Sequence, residues 1–181
     1  SEEGLRVLRK GSKLKQNIEA LRLCRKYGIV TIADFILGLP HEKSYDDVLQ
    51  SIKTLTYDYN PDYAQFAILS LYPNTEVYDQ AVAKGLIKDG KWNEWAMDPL
   101  NTKLKVDHWL EYVSMEQLVE LQKKAYRIFY LRPSAIWRQL KQIKSLYEIK
   151  VKIKGALSVL GLHFGTPKSK PLKPDFQVPI K

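Results

Sequence analysis

The fold class follows from ten residues, Ile29-Val30-Thr31-Ile32-Ala33-Asp34-Phe35-Ile36-Leu37-Gly38. This stretch is nearly all apolar and rich in β-branched side chains, which suits a strand that is buried on both faces of a sheet. Strands of that kind are typical of parallel sheets with helices packed on each side. The stretch therefore predicts an α/β fold.

A second apolar run, Tyr63 to Leu71, also reads as a strand, and a helix separates the two. Ser44 is typical of a helix N-cap. An apolar stripe follows it at helical spacing, at Val48, Ile52, Leu55 and Tyr59. Asn60-Pro61-Asp62 then ends the helix. Two strands joined by a helix predict a right-handed βαβ unit.

Helical patterns flank this unit on both sides. One runs from about Lys15 to Tyr27 and ends at Gly28, and another begins at Thr75. Two strands seldom form an independently stable sheet. Residues 1–86 are therefore expected to be the later portion of a larger (β/α) barrel, with about two parallel strands and their covering helices.

The rest of the chain is predicted to be a mostly helical C-terminal extension. Residues 87–113 are aromatic-rich and without periodicity, which suits either a cover over a site or simple core packing. A capping-box pattern at Ser114–Gln117 opens a helix to about Tyr130. Residues 143–160 fit both strand alternation and one helical face, and the longer helical pattern favours a helix. The predicted divisions are 1–86, 87–165 and a flexible, basic, proline-rich tail at 166–181.

Composition excludes several classes of protein. The net charge is +9, and residues 132–181 account for all of it, with eleven Lys and Arg against two acids. The single cysteine, Cys24, excludes an internal disulfide framework and any iron–sulfur cluster held by this chain's own thiolates. On its helix Cys24 is expected to be a buried, inert thiol. The sequence shows neither a membrane-spanning apolar run nor a leader, so a cytoplasmic location is expected.

The candidate site lies where the first strand ends, at Phe35 to Glu42. Ligands of parallel α/β sheets and barrels sit at this end of the strands. Gly38 would let the backbone approach a flat ligand, and Glu42 would offer an acceptor near the rim. An alternative is equally open: Gly38-Leu39-Pro40 is a tight strand exit and Glu42 a charge in the first helical turn.

Four motifs in this order resemble the radical S-adenosylmethionine (SAM) superfamily. They are Ser1 to Gly11, Tyr27-Gly28-Ile29-Val30, Phe35 to Glu42 and Tyr72-Pro73-Asn74-Thr75. The resemblance covers residues 1 to about 86. It is to the branch of iron–sulfur oxidoreductases that often carries a cobalamin-binding domain.

This resemblance implies the C-terminal part of a catalytic barrel plus an extension. In that family a [4Fe–4S] cluster reduces SAM and releases a 5′-deoxyadenosyl radical, which abstracts a hydrogen from the substrate. The family's Cys-x-x-x-Cys-x-x-Cys loop is absent here, so the cluster, and any cobalamin, would belong to a missing N-terminal part. The chain alone is expected to be inactive and not to bind SAM tightly.

The resemblance also implies a set of cofactor-binding residues. Ile36 would pack on the purine face of SAM, and Glu42 would stand behind the residues that touch it. No catalytic or metal-ligating residue is assigned. The implied set is Ile36, Leu37, Gly38, Glu42, Leu71 and Tyr72.

The sequence departs from the family pattern at two turns. His41 and Asn74 stand where glycines are usual. Histidine and asparagine enter the left-handed region more readily than most residues. We therefore expect both turns to be kept.

Two other functions remain open. The basic region 132–154, with Trp137 and Tyr147, could bind RNA or an anionic membrane surface, or could simply be a solvated helix face. The first 86 residues could also be half of an unrelated barrel enzyme. Substrate, reaction type and oligomeric state are not predicted, because one scaffold supports many reactions.

Overall fold

The computed structural model describes residues 1–98 and 105–141, and the single positions 147, 150, 153 and 155. Helices α1 and α2 precede strand β1, helix α3 and strand β2 follow it, and helices α4 to α7 complete the described chain. A π-helical turn, Leu55–Tyr59, extends α3. The bounds are α1 Glu2–Val7, α2 Leu14–Lys26, β1 Ile32–Leu37, α3 Tyr45–Thr54, β2 Tyr63–Ile68, α4 Glu76–Ala83, α5 Lys91–Met97, α6 Met115–Tyr130 and α7 Pro133–Lys141.

The two strands pair in parallel, from Ile32 opposite Tyr63 to Leu37 opposite Ile68. Helix α3 is the crossover between them. The fold class is confirmed: a partial β/α unit is followed by a helical extension.

Side-chain caps begin the helices that the sequence marked. The hydroxyls of Ser44 and Thr75 accept hydrogen bonds from the backbone N–H groups of Asp47 and Tyr78. Ser114 and Gln117 form the predicted capping box at the start of α6. These contacts satisfy N–H groups that a helix leaves without partners at its first turn.

The main core lies between one face of the sheet and helices α3 and α6. Fully buried aliphatic and aromatic side chains from all three elements meet there. They include Leu37, Val48, Ile52, Phe66, Leu118, Leu121 and Phe129. A second cluster lies beyond the strand ends, at Leu39, Leu69, Leu71, Val77, Tyr78, Ala81 and Trp109.

The expectation that the first strand is buried on both faces is wrong. The strand starts three residues later than predicted, at Ile32, and Ile32 is 71% exposed. Helices α3 and α6 cover only the face that carries Phe35 and Leu37. Within the described residues the opposite face, with Ile32 and Asp34, has no such cover.

The segment 87–113 contains a helix that the sequence analysis missed. Helix α5 begins at Lys91, and its N-cap residue, Gly90, provides no side-chain cap, so the usual start signal is absent. Its Trp92 packs against Tyr72 and Trp95, with ring centroids 5.3 and 6.3 Å apart.

Two expectations about side chains and turns are corrected. Cys24 is half-buried, not buried as expected, and α2 contributes no buried residue among those described. The left-handed turn is confirmed at Asn74, with φ of 62°, but His41 does not have a positive φ.

The ambiguous region 143–160 is described at four positions only. Tyr147, Lys150, Ile153 and Gly155 are helical there, which agrees with the preference for a helix at those positions. The remaining positions of that region and the predicted tail at 166–181 lie outside the described residues.

Candidate functional site

One face of the two-stranded sheet carries side chains that the core clusters leave wholly or partly uncovered. Alternation along β1 sends Ala33, Phe35 and Leu37 toward the helices. It sends Ile32, Asp34 and Ile36 to the other side, which we call the open face. The pairing register adds Tyr63, Gln65 and Ala67 of β2 to the same face.

A cavity of about 510 Å³ lies beside β1. Residues of α1, α2, β1 and the π-helical turn line it, and we call it the β1 cavity. Its lining is mainly apolar, with Asn17, Cys24, Asp34, His41 and Glu42 among the polar members. The apolar members include Leu5, Leu8, Leu14, Leu21, Ile32 and Ile36. A mainly apolar cavity with a few polar groups is typical of a small-molecule site.

The outer edge of β2 is hydrogen-bonded at Ala64 and Phe66, and we call it the closed edge. Tyr130 Oη donates to the carbonyl of Ala64 at 2.9 Å and accepts from its N–H at 3.2 Å. Tyr126 Oη accepts from the N–H of Phe66 at 3.3 Å. Gln122 Nε2 donates to the carbonyl of Phe66 at 2.8 Å. Side chains of α6 thus take the place of a neighbouring strand.

The outer edge of β1 is different, and we call it the open edge. Thr31 and Leu37 direct their carbonyls to the N–H groups of Tyr63 in β2 and of Leu69, the residue that follows β2. Alternation therefore turns the backbone of Ile32, Asp34 and Ile36 away from β2. Within residues 1–98 and 105–141, no hydrogen bond reaches those outward groups.

A carboxylate holds the loop that leaves β1. Glu42 is 3% exposed, and its Oε2 accepts hydrogen bonds from the N–H groups of Gly38 and Leu39, both at 2.9 Å. Hydrogen bonds to an ionised acceptor are the strong class. Glu42 therefore fixes the strand exit, and it also lines the β1 cavity. The alternative that placed Glu42 in the first turn of a helix is wrong, since α3 begins at Tyr45.

Position 38 requires glycine for two reasons, its backbone conformation and its closeness to helix α6. Its φ is +76°, and a Cβ there would lie 3.0 Å from a methyl group of Leu118. The close approach that Gly38 permits is thus to α6.

The six residues assigned from the resemblance do not form one surface in this structure. Ile36 and Glu42 both line the β1 cavity. Leu37 and Leu71 are buried in the first and second clusters, respectively. Tyr72 is half exposed against Trp92.

Sequence analysis missed the polar residues of the open face. Asp34 and Gln65 are direct partners in the strand register, and both are exposed there. The signal was present, because Asp34 interrupts an otherwise apolar run and alternation assigns it the face opposite Phe35.

His41 is another cavity residue with an unusual environment. Its Nε2 lies 3.1 Å from Ser1 Oγ, and its buried Nδ1 has no hydrogen-bond partner among the residues that the structure describes. It thus brings a polar ring to the rim of the cavity beside Glu42.

The opposite end of the sheet carries a buried cation. Arg132 and Arg138 both donate to Asn60 Oδ1, at 2.7 and 2.8 Å. Burial, followed by the nearby charge of Arg138, lowers the pKa of Arg132 to about 10. The guanidinium of Arg132 lies 4.0 Å from the centroid of the Phe129 ring. These contacts anchor the start of α7 to the turn before β2.

The described part of the chain contains no group of three or more His, Cys, Asp or Glu that could hold a metal ion. None of its helices combines the length and apolar character needed to cross a bilayer.

Comparison with known proteins gives a set of distant relatives. No family model matches the chain, and no solved structure matches it. An uncharacterized methyltransferase of Pyrococcus horikoshii is 33% identical over 161 residues, which cover 86% of this chain and 32% of that relative.

Two further relatives are anaerobic magnesium-protoporphyrin IX monomethyl ester cyclases. That of Rubrivivax gelatinosus is 32% identical over 76 residues, covering 42% of this chain and 13% of the cyclase. That of Synechocystis sp. is 30% identical over 151 residues, covering 78% of this chain and 27% of the cyclase. This chain therefore spans about a third or less of the curated relatives it matches. It is related to proteins named as enzymes, and this relationship supports the radical SAM resemblance at the level of the superfamily.

Proposed function

We propose that this chain is the C-terminal part of the catalytic barrel of a radical SAM enzyme, followed by a helical extension. The observation that carries the proposal is the contrast between the two sheet edges. Side chains of α6 cover the edge of β2, whereas the open edge of β1 has backbone groups that find no partner among the described residues, beside a largely apolar cavity. An open parallel edge is suited to another strand of the same barrel.

The residues present fit only part of the cofactor set. Cys24 is the one cysteine of the chain, and no metal-holding group occurs in its described part, so this chain does not supply the ligands of a [4Fe–4S] cluster. We propose that those ligands, and any cobalamin site, belong to other regions of a longer polypeptide. When bound, the cluster and SAM would supply radical chemistry on a substrate that we leave unassigned.

The described residues fit part of a SAM site better than they fit a cluster site. Ile36 presents an aliphatic side chain to the β1 cavity at the end of a parallel strand, where ligands of such sheets bind. In this proposal Ile36 packs on the adenine ring of SAM. Leu37 and Gly38 would contribute backbone only, since the side chain of Leu37 is buried and Gly38 abuts Leu118.

The other assigned residues would act around that contact. Glu42 would hold the loop in place through the Gly38 and Leu39 N–H groups. Leu71 would support the pocket from the second cluster, and Tyr72 would lie near its mouth with Trp92. None of these side chains is assigned a chemical step.

The first test uses the complete polypeptide, purified without oxygen. We expect iron and sulfide, and formation of 5′-deoxyadenosine from SAM when a reductant is added. Upstream sequence should contain three cysteines in the Cys-x-x-x-Cys-x-x-Cys spacing. Their absence would leave the unrelated half-barrel enzyme as the better explanation.

The second test addresses Ile36. In the complete protein, Ile36→Asp should weaken SAM binding at least about tenfold, because a carboxylate replaces apolar contact with the base. Ile18→Asp on α2, the same substitution at an exposed position that does not line the β1 cavity, is the matched control and should bind SAM normally. The 181-residue chain alone should show no tight SAM binding by calorimetry. Tight binding would contradict the proposal that it is an incomplete site.

A further inference from the structure

Helix α7 presents large apolar side chains to solvent. Ile136, Trp137 and Leu140 are 44%, 60% and 55% exposed, while Ala135 is the buried apolar residue of the helix. Side chains of this size usually attach a helix to its core by being buried. The exposed face of α7 is therefore not the face that attaches it to the rest of the protein.

The same character continues along the chain. Tyr147, Lys150 and Ile153 are helical and exposed. Within α7, Ile136 and Leu140 are four residues apart, which is the spacing of one helical face. Residues 132–154 contain one acid, Glu148, and seven cations: Arg132, Arg138, Lys141, Lys144, Lys150, Lys152 and Lys154.

Two of these cations hold α7 in place. Arg132 and Arg138 donate to the side chain of Asn60 and, at 3.2 and 3.3 Å, to the carbonyl of Pro61. Arg138 also lies 3.6 Å from Asp62. Both arginines are thereby directed inward, and the apolar side chains are left on the outside.

We infer that the exposed face of α7 and the helical positions after it bind an anionic lipid surface. A helix with lysines beside exposed apolar side chains lies in the interfacial plane of such a membrane. Tryptophan and tyrosine are enriched at that depth, and each lysine near the surface adds attraction to anionic lipids.

An RNA partner fits these observations less well. RNA binding depends on cations directed at phosphates and on aromatic side chains that stack on bases. Here the two arginines of α7 are engaged internally, and exposed Ile136 and Leu140 gain nothing from a phosphate backbone. Lipid acyl chains would cover both aliphatic side chains.

The placement leaves the candidate site accessible. Asn60 and Pro61 precede β2, so α7 is anchored at the amino-terminal end of the sheet. The strand exit at Gly38 and Glu42 lies at the carboxyl-terminal end. Membrane contact through α7 would therefore occur at the end of the sheet opposite the strand exit.

The experiment measures sedimentation of the 181-residue chain with phosphatidylcholine vesicles, with and without phosphatidylglycerol. We expect binding to the anionic vesicles only, weakened by salt. Replacing Lys150, Lys152 and Lys154 by glutamine should weaken binding on the order of a hundredfold, at about fivefold for each lysine. Ile136→Ser with Leu140→Ser should weaken it at least about tenfold.

The matched control changes two exposed apolar residues of α2, Ile18→Ser with Leu23→Ser, and should bind like the original chain. Quenching of tryptophan fluorescence by bromine-labelled acyl chains should be largely lost in Trp137→Phe, which reports insertion independently of affinity. The inference is overturned if anionic vesicles are not bound, if the α2 control is weakened equally, or if transfer RNA is bound and vesicles are not.

Discussion

The two outer edges of the sheet differ in whether their backbone N–H and carbonyl groups are hydrogen-bonded. At the closed edge, Gln122, Tyr126 and Tyr130 satisfy the backbone of Ala64 and Phe66. At the open edge, the outward groups of β1 have no partner in the described chain.

The helices beside the two edges differ in the same way. Helix α6 buries Leu118, Leu121, Ala125 and Phe129, whereas α2 buries no residue. On the β2 side, the same helix, α6, buries apolar side chains and hydrogen-bonds the strand edge. On the β1 side, α2 does neither within the described chain. The contrast teaches that α6 covers the sheet at β2, and it supports our proposal that another strand pairs with β1.

The largest expected effect compares leucines in these two helices. Leu121→Ala should lower the free energy of unfolding by about 2–5 kcal/mol, because it opens a cavity in the core. Leu21→Ala, at a half-buried position on α2, should cost less than about 1 kcal/mol. Urea unfolding followed by circular dichroism measures both. Equal losses would mean that α2 is packed as firmly as α6.

The next effect concerns the strand exit. Glu42→Ala should cost about 2–3 kcal/mol, since the N–H groups of Gly38 and Leu39 lose an ionised acceptor in a buried setting. Glu120→Ala is the control: Glu120 is exposed and, within the described chain, accepts only from the hydroxyl of Tyr45, so its loss should be within about 0.5 kcal/mol. The same urea titration compares them. An unchanged free energy of unfolding in Glu42→Ala would contradict the role of Glu42 in holding the strand exit.

A smaller effect tests the edges directly. Tyr130→Phe should cost about 0.5–1.5 kcal/mol and increase hydrogen exchange at the Ala64 amide, because the hydroxyl that accepts from it is gone. In the unaltered chain, the amides of Asp34 and Ile36 should already exchange quickly. Slow exchange at those two amides would show that the open edge is covered.

The smallest effect is a pH dependence. Burial raises the pKa of Tyr130 above its ordinary value of about 10, against the opposing hydrogen bond with Ala64. Its stabilising contribution is therefore complete below pH of about 10 and is lost as the pH rises through the raised pKa, because the unfolded chain ionises first. The stability difference between the original chain and Tyr130→Phe should shrink in that range. A constant difference would exclude this titration.

Much of this architecture was predictable from local chemistry. Ser44, Thr75 and Ser114 mark helix starts because each hydroxyl satisfies a backbone N–H within its own helical turn. Both strands were predicted because apolar runs between turn residues have few alternatives.

The features that were missed depend on distant contacts. Which face of β1 is covered depends on α6, about eighty residues later in the chain, and the apolar run alone cannot specify it. The inward position of Leu37 and the tyrosines at the closed edge have the same origin. Helix α5 lacks a side-chain cap, so the sequence offered no N-cap signal from which its start could be predicted.

The closed edge has a consequence for how the protein is made. Tyr130 follows Ala64 by 66 residues, so a ribosome must add that many amino acids before β2 can be covered. At typical translation rates this takes on the order of several seconds. A nascent chain would carry β2 without its cover during that interval, when contact with other unfinished polypeptides is most damaging. Slow synthesis of residues 64–130 should therefore raise aggregation more than slow synthesis after Tyr130.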